Sequence, residues 1–165
     1  QNPHTLLKAI IDSEKKSYEM LLEKVLLYKN FLFSIKDISN KVNDEEPNWN
    51  AGHLPGLDII MIYTLIAEYK PKRYVEIGSG TSTKVVYKAK NENNLSTQII
   101  SIDPNPRLEI DKLCTEVHRK YVHEININFF KQLSAGDILF LDGSHMLLPN
   151  SVVQYFFMEI LPVLQ

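Results

Sequence analysis

Apolar residues recur at helical spacing near the start of the chain. Leu6, Leu7, Ile10, Ile11, Tyr18, Leu21, Leu22, Val25 and Leu26 follow a period of about 3.6 residues, with Lys15, Lys16, Glu19, Glu23 and Lys24 on the other face. This predicts a helix over residues 5–30, and Phe31, Leu32, Phe33 and Ile35 extend its apolar surface. The pattern then lapses. Ser, Asn, Asp, Pro and Gly crowd residues 39–56, and Trp49 stands alone among them. That composition marks a loop or linker, so residues 1–50 read as a helical extension and residues 51–165 as the main fold. A broad apolar face from Ile59 to Tyr69 predicts a second helix over 57–69. Pro71 ends it at or before Lys70, because the residue ahead of a proline is pushed out of the α region.

Short apolar runs dominate from there. Tyr74–Ile77 predicts a first strand, followed by a helix that opens at Thr81 or Ser82 and runs to about Lys90. A polar connection, Asn91–Ser96, leads to a second strand, Gln98–Ile102, whose exit is punctuated by Pro104 and Pro106. Leu108–Val117 reads as helical, Tyr121–Glu124 as a third strand and Asn128–Leu133 as a short helix. Ile138–Leu141 is a fourth strand, and Asn150–Leu161 a final apolar helix. Strands alternating with helices at this spacing argue for βαβ units. The expected class is α/β, a mostly parallel sheet with helices on both faces.

Composition narrows the function classes. The chain has 165 residues, 44% hydrophobic and 23% charged, which suits one globular domain. With 18 Lys and Arg against 20 Asp and Glu, the net charge of −2 gives no electrostatic case for nucleic acid or an anionic membrane. Cys114 is the single cysteine and cannot form an internal disulfide. No apolar run reaches the length of a membrane span and no signal-peptide layout opens the chain, so a cytoplasmic setting is expected. Gln1 in place of Met suggests trimmed upstream residues.

The chemistry concentrates at strand ends. Arg73-Tyr-Val-Glu-Ile-Gly-Ser-Gly-Thr-Ser-Thr83 reads as a buried strand, a glycine turn and the polar start of a helix. Glycine permits positive φ and close backbone approach, and the first N–H groups of the next helix are unpaired. Asp103 follows the second strand, where a carboxylate can accept from both hydroxyls of a ribose; Pro104 stiffens its exit. Asp137-Ile-Leu-Phe-Leu-Asp-Gly-Ser-His145 places Asp142, Ser144 and His145 after the fourth strand. Acids at the carboxyl ends of successive strands are where an open α/β sheet keeps its ligand site.

These segments resemble class I, Rossmann-like S-adenosylmethionine-dependent methyltransferases. The likeness covers roughly residues 54–162 and is most specific at Tyr74–Thr83 and Leu141–His145. The subgroup it suggests includes small-molecule and sugar O-methyltransferases and cephalosporin hydroxylase-like proteins. The resemblance implies that Glu76 lies near the methionine end of the cofactor, and that Gly78, Ser79, Gly80, Thr81 and Ser82 pass beside its methionine and ribose parts. It implies that Asp103 clamps the ribose and that Pro104 borders the adenine. Asp142 and His145 would face the transferred methyl, with His145 or Asp142 in a direct chemical role. Some relatives bind a divalent metal through the acid at the Asp142 position, so Mg²⁺ or a similar ion is a second cofactor to consider. The implied reaction moves a methyl group to a hydroxyl of a small molecule or sugar. Relatives carry three further strands, so the C-terminal strands of the family fold are expected to be missing. A homo-oligomer is left open.

Two other readings compete. A NAD(H) or nucleotide-sugar enzyme uses the same sheet, but its glycine fingerprint calls for a third glycine where this chain has Thr83. A non-catalytic relative would keep the fold as a binding module, which the intact Glu76, Gly78, Gly80 and Asp103 argue against. Cys114 reads as a small core residue. His118, His123 and Glu124 lack recognised metal-ligand spacing. Trp49 and His53 are candidates for a lid, and Tyr63 is open between lid and core.

Overall fold

The computed structural model describes residues 4–164. It divides into two compact units, one ending at Ser34 and the other beginning at Ile35. The sequence reading put the division at residue 50. Residues 36–49 instead join the sheet unit, where Glu46 pairs with Lys88 at 3.0 Å.

The first unit is helical but is not one helix. α1 (Thr5–Ser13) and α2 (Lys15–Val25) are separated at Glu14, and a 3₁₀ turn, Leu26–Tyr28, precedes α3 (Lys29–Ser34). The break has a local cause. Ser13 Oγ donates to the Ile10 carbonyl at 2.7 Å, and Ser17 Oγ donates to the Glu14 carboxylate at 3.0 Å. Side chains that bond the backbone or the cap compete with a continuous helix. The apolar stripe of the sequence is present, yet Leu6, Leu7, Ile10 and Ile11 are all exposed.

The second unit opens with a minimal parallel pair, β1 (Lys36–Asp37) just ahead of the stretch expected as loop and β2 (Asn48–Trp49) inside it. α4 (Gly56–Tyr69) ends on Lys70, which takes the left-handed conformation at φ 47 before Pro71. β3 (Arg73–Ile77), α5 (Thr81–Glu92), β4 (Gln98–Ile102) and β6 (Ile138–Leu141) lie where the sequence puts them. β5 does not: it is Glu116–His118, across the end of the expected helix 108–117. That helix reduces to a 3₁₀ turn at Asp111–Leu113. The expected third strand at 121–124 is a 3₁₀ turn, Val122–Glu124. Pairing decided the outcome. The β4 edge offers open backbone groups, and Thr115 takes them by donating its N–H to Ile99 O at 2.7 Å and accepting the Ile99 N–H on Oγ1 at 3.2 Å. The β-branched Val117 suits that half-buried strand position. α6 (Ile127–Lys131) follows. The expected final helix is present as α7 (Val152–Tyr155), a π turn Phe156–Ile160 and a 3₁₀ turn Leu161–Val163.

The main sheet is parallel throughout, in the order β5-β4-β3-β6. Helices cover both faces, as a βαβ chain of right-handed crossovers requires. Val75, Ile77, Ile100 and Ile102 point to one side, where Phe130 of α6 and Ile160 complete a buried cluster. Tyr74 and Glu76 alternate to the other side, under α5, which packs on α4. The start of the central strand is fixed by charge. Asp137 accepts the Arg73 backbone N–H and its Nε–H, each at 2.9 Å, and so ties β3 to the entry of β6. Burial alone would raise the Asp137 pKa, but the backbone N–H groups of Ser134 and Arg73 and the Arg73 guanidinium hold it below the ordinary carboxylate value. No helix of the described residues is long and apolar enough to cross a membrane.

Candidate cofactor and substrate cleft

An open cleft of about 1330 Å³ lies across the carboxyl ends of β3, β4 and β6. The topology explains its position. The chain leaves β3 toward one face and reaches β4 and β6 on opposite sides of it, so the loops separate there.

The β3–α5 turn forms the floor. Gly78 has φ 85, and a Cβ on it would sit 2.0 Å from the Asp142 carbonyl oxygen. Only glycine fits, because both the conformation and the space are closed to a side chain. The contact joins two strand ends: Gly78 N–H donates to Ile102 O at 3.0 Å, and Asp142 N–H to Ile77 O at 2.9 Å. Gly80 differs. Its φ of 164 is extended, and an added Cβ would meet only Leu108 at an ordinary 3.8 Å. Its backbone borders the cleft, as do Ser79 and Thr81.

Asp103, at the end of β4, is held beside the turn. Ser79 donates its N–H at 2.8 Å and its hydroxyl at 3.1 Å to one carboxylate oxygen, and Asn105 N–H donates at 2.9 Å to the other. A carboxylate has about four acceptor sites. These bonds fix its direction and leave acceptor capacity on the Asn105-bonded oxygen. Pro104 follows it in the cleft wall.

Glu76 and Ser82 are not in that wall. Glu76 is 0% exposed and lies behind the turn, against the first turn of α5. Ser82 donates its hydroxyl to one oxygen, and Thr83 donates its hydroxyl to the other at 2.7 Å. Burial pushes the Glu76 pKa up to about 8; the Ser82 and Thr83 hydroxyls pull it down, and the charges of Asp142 and Asp103 push it up again. Ser101, its register partner on β4, is fully buried with its hydroxyl unpaired among the described residues. Thr83 is the residue that sequence reasoning undervalued. Its Oγ1 also accepts the Gly80 N–H at 3.0 Å. The signal was present in three consecutive hydroxyl residues, Thr81-Ser82-Thr83, one helical turn from a strand acid.

The third wall follows β6. Asp142, Ser144 and His145 reach the cleft, and His145 Nε2 lies 3.2 Å from an Asp142 carboxylate oxygen. His145 sits at φ 54, in the left-handed region, with its side chain 76% exposed. Gly143 makes the bend compatible with α7, since a Cβ there would meet Val152 at 2.6 Å. Tyr121, His123 and Tyr155 add an aromatic side to the cleft, with the Tyr121 and His123 rings stacked at 5.5 Å.

The lid candidates separate. His53 borders the cleft beside Gly52 and Leu54, whereas Trp49 packs against Gly56 at the start of α4. Tyr63 is core: it is fully buried and its hydroxyl donates to Glu92 at 2.8 Å. Cys114 donates to Ile110 O at 3.4 Å, and burial pushes its thiol up to about 12, which suits a packing residue. Among the described residues, no group of three or more His, Cys, Asp or Glu side chains is arranged to hold a metal ion. Asp142 has His145 beside it but no third ligand, so the donor set does not fit Mg²⁺.

A parallel sheet with a glycine turn, an acid after the next strand and a polar loop after the fourth defines a Rossmann-like α/β domain. The family model described as a methyltransferase domain matches residues 75–165, more than half of the chain. The chain belongs to that methyltransferase-domain family. No curated protein and no solved structure matches it.

Proposed function

We propose that this protein is an S-adenosylmethionine-dependent methyltransferase acting on a hydroxyl of a small molecule, with sugars among the candidate acceptors. One observation carries the reading. The Gly78–Thr81 backbone, the Asp103 carboxylate and the Asp142–His145 pair all border a single cleft. The donor set suits a neutral diol beside a backbone turn. Asp103 is already oriented by Ser79 and Asn105, and its spare lone pairs can accept ribose hydroxyls. The missing third glycine, replaced by a Thr83 that is bonded on both sides, disfavours the dinucleotide alternative.

The cofactor supplies an electrophilic methyl on a positively charged sulfonium. The protein then has to align a hydroxyl and take its proton. His145 suits this near neutral pH. In the tautomer that donates Nε2–H to Asp142, its Nδ1 is left as an acceptor on a residue that borders the cleft. Asp142 stabilises the imidazolium that forms. No metal is required by this scheme, and the side chains beside Asp142 do not supply a ligand set for one.

Calorimetric titration with S-adenosylmethionine and S-adenosylhomocysteine tests the proposal. Micromolar binding is expected, weakened at least about tenfold in Asp103→Ala, which corresponds to about 1.4 kcal/mol. A folded protein that binds neither compound would overturn it.

A further inference from the structure

We propose that Thr83 is a positioning residue that sets the glycine turn for the cofactor, through a relay from Gly80 N–H to Thr83 Oγ1 and from Thr83 O–H to Glu76. The inference rests on the cofactor reading above and deepens it. All three groups are buried behind the turn, and Thr83 is 0% exposed.

The relay connects a rigid element to a ligand-facing one. Glu76 is on the central strand, paired in register with Ser101 on β4 and Phe140 on β6. The sheet fixes its backbone, and burial with the Ser82 and Thr83 hydroxyls holds its carboxylate. Thr83 receives this fixed point at 2.7 Å and passes it to Gly80 N–H at 3.0 Å. Gly80 lines the cleft, and the preceding residue, Ser79, holds Asp103 by two hydrogen bonds. The Thr83 bond therefore fixes the 79–80 peptide beside the ligand, and through the shared Ser79 Cα it restrains the adjoining 78–79 peptide, whose N–H holds the carboxylate that takes the diol. Without the hydroxyl, Gly80 N–H is buried and unpaired, and the peptide gains by rotating toward the water of the cleft. In the dinucleotide fingerprint the corresponding position is a glycine used for close helix–strand packing. Here a threonine fills that gap and locks the turn.

The test compares Thr83→Val, which keeps the branched shape and removes the hydroxyl, with Thr83→Ser, which keeps the hydroxyl. Amide exchange at Gly80 is read by NMR, S-adenosylhomocysteine affinity by calorimetry and folding by thermal melting. Thr83→Val is expected to speed Gly80 exchange and weaken binding, each by about tenfold or more relative to wild type. Thr83→Ser stays within about threefold of wild type on both readouts. Equal Gly80 exchange, or equal affinity, in folded wild type and Thr83→Val would overturn the relay, since a residue that only fills space would change melting alone. If Thr83→Val does not fold, Thr83→Ala against Thr83→Ser carries the same comparison. Wild-type protein that binds no S-adenosylhomocysteine sinks the cofactor reading itself. Wild type and Thr83→Val that bind equally sink the relay alone.

Discussion

The two sides of the cleft are built in opposite ways. The turn from Gly78 to Thr83 is anchored by hydrogen bonds to Ile102, Asp103 and the buried Glu76, and its glycine is pressed against the Asp142 carbonyl. The loop from Asp142 to His145 leaves the same strand-end contact and then opens to solvent. There its histidine holds one 3.2 Å contact and a left-handed backbone. A cofactor has one shape, and a turn fixed before binding loses little on receiving it. An acceptor hydroxyl must be approached and released, and an exposed histidine can adjust to it. On the proposed function, the difference fits recognition at the first side and proton handling at the second.

The largest effect on stability is expected at the contact the two sides share. Gly78→Ala adds a Cβ that would lie 2.0 Å from Asp142 O, at φ 85. The left-handed conformation and the overlap together cost at least about 3 kcal/mol. Thermal melting should fall by about 6–12 °C. A loss below about 1 kcal/mol would show that the turn and the β6 loop move apart easily, and the contrast between them would fail.

Glu76 gives the next largest effect, and it depends on pH. Burial raises its folded-state pKa to about 8 from 4.5, so the folded state binds the proton more tightly than the unfolded chain. Its favourable contribution is complete below about pH 4.5 and is lost as pH rises through about 8. Glu76→Gln mimics the protonated acid, accepting from Thr83 and donating to Ser82. The variant should match wild type near pH 5 and become the more stable of the two, by a few kcal/mol, at pH 9. Denaturant midpoints at the two pH values check this. A parallel pH dependence in both proteins would show that the carboxylate is solvated, not held behind the turn.

His145→Ala should have the smallest effect on stability, within about 0.5 kcal/mol, because the side chain is exposed and its polar contact among the described residues is the one to Asp142. Methyl transfer is where it should count, with a loss of about 100-fold or more at unchanged S-adenosylhomocysteine affinity. A full-rate variant would move proton handling elsewhere in the cleft.

The strands were legible because each is a short buried apolar run bounded by turn residues. Gln98–Ile102 and Ile138–Leu141 have the bounds their sequence predicts. β5 was not legible. Glu116–His118 has three residues, one charged, and becomes a strand only because the β4 edge is there to pair with it. The amphipathic repeat of the first thirty residues showed helix, but it could not show the break at Glu14 or the exposure of the apolar stripe. The same limit applies at the site. Glycines and acids at strand ends were visible as a pattern, but not which way Glu76 points. Strand alternation contained that answer, since Val75 and Ile77 face the core cluster and the residue between them must face α5.

The most direct test is an amide-resolved NMR titration of the protein with S-adenosylhomocysteine. The account predicts shifts concentrated at Gly78–Thr81 and Asp103–Asn105, with smaller ones at Asp142–His145 and none beyond the cleft. Saturable shifts that avoid the glycine turn and Asp103, or an equal response at those residues to NADH, would contradict it.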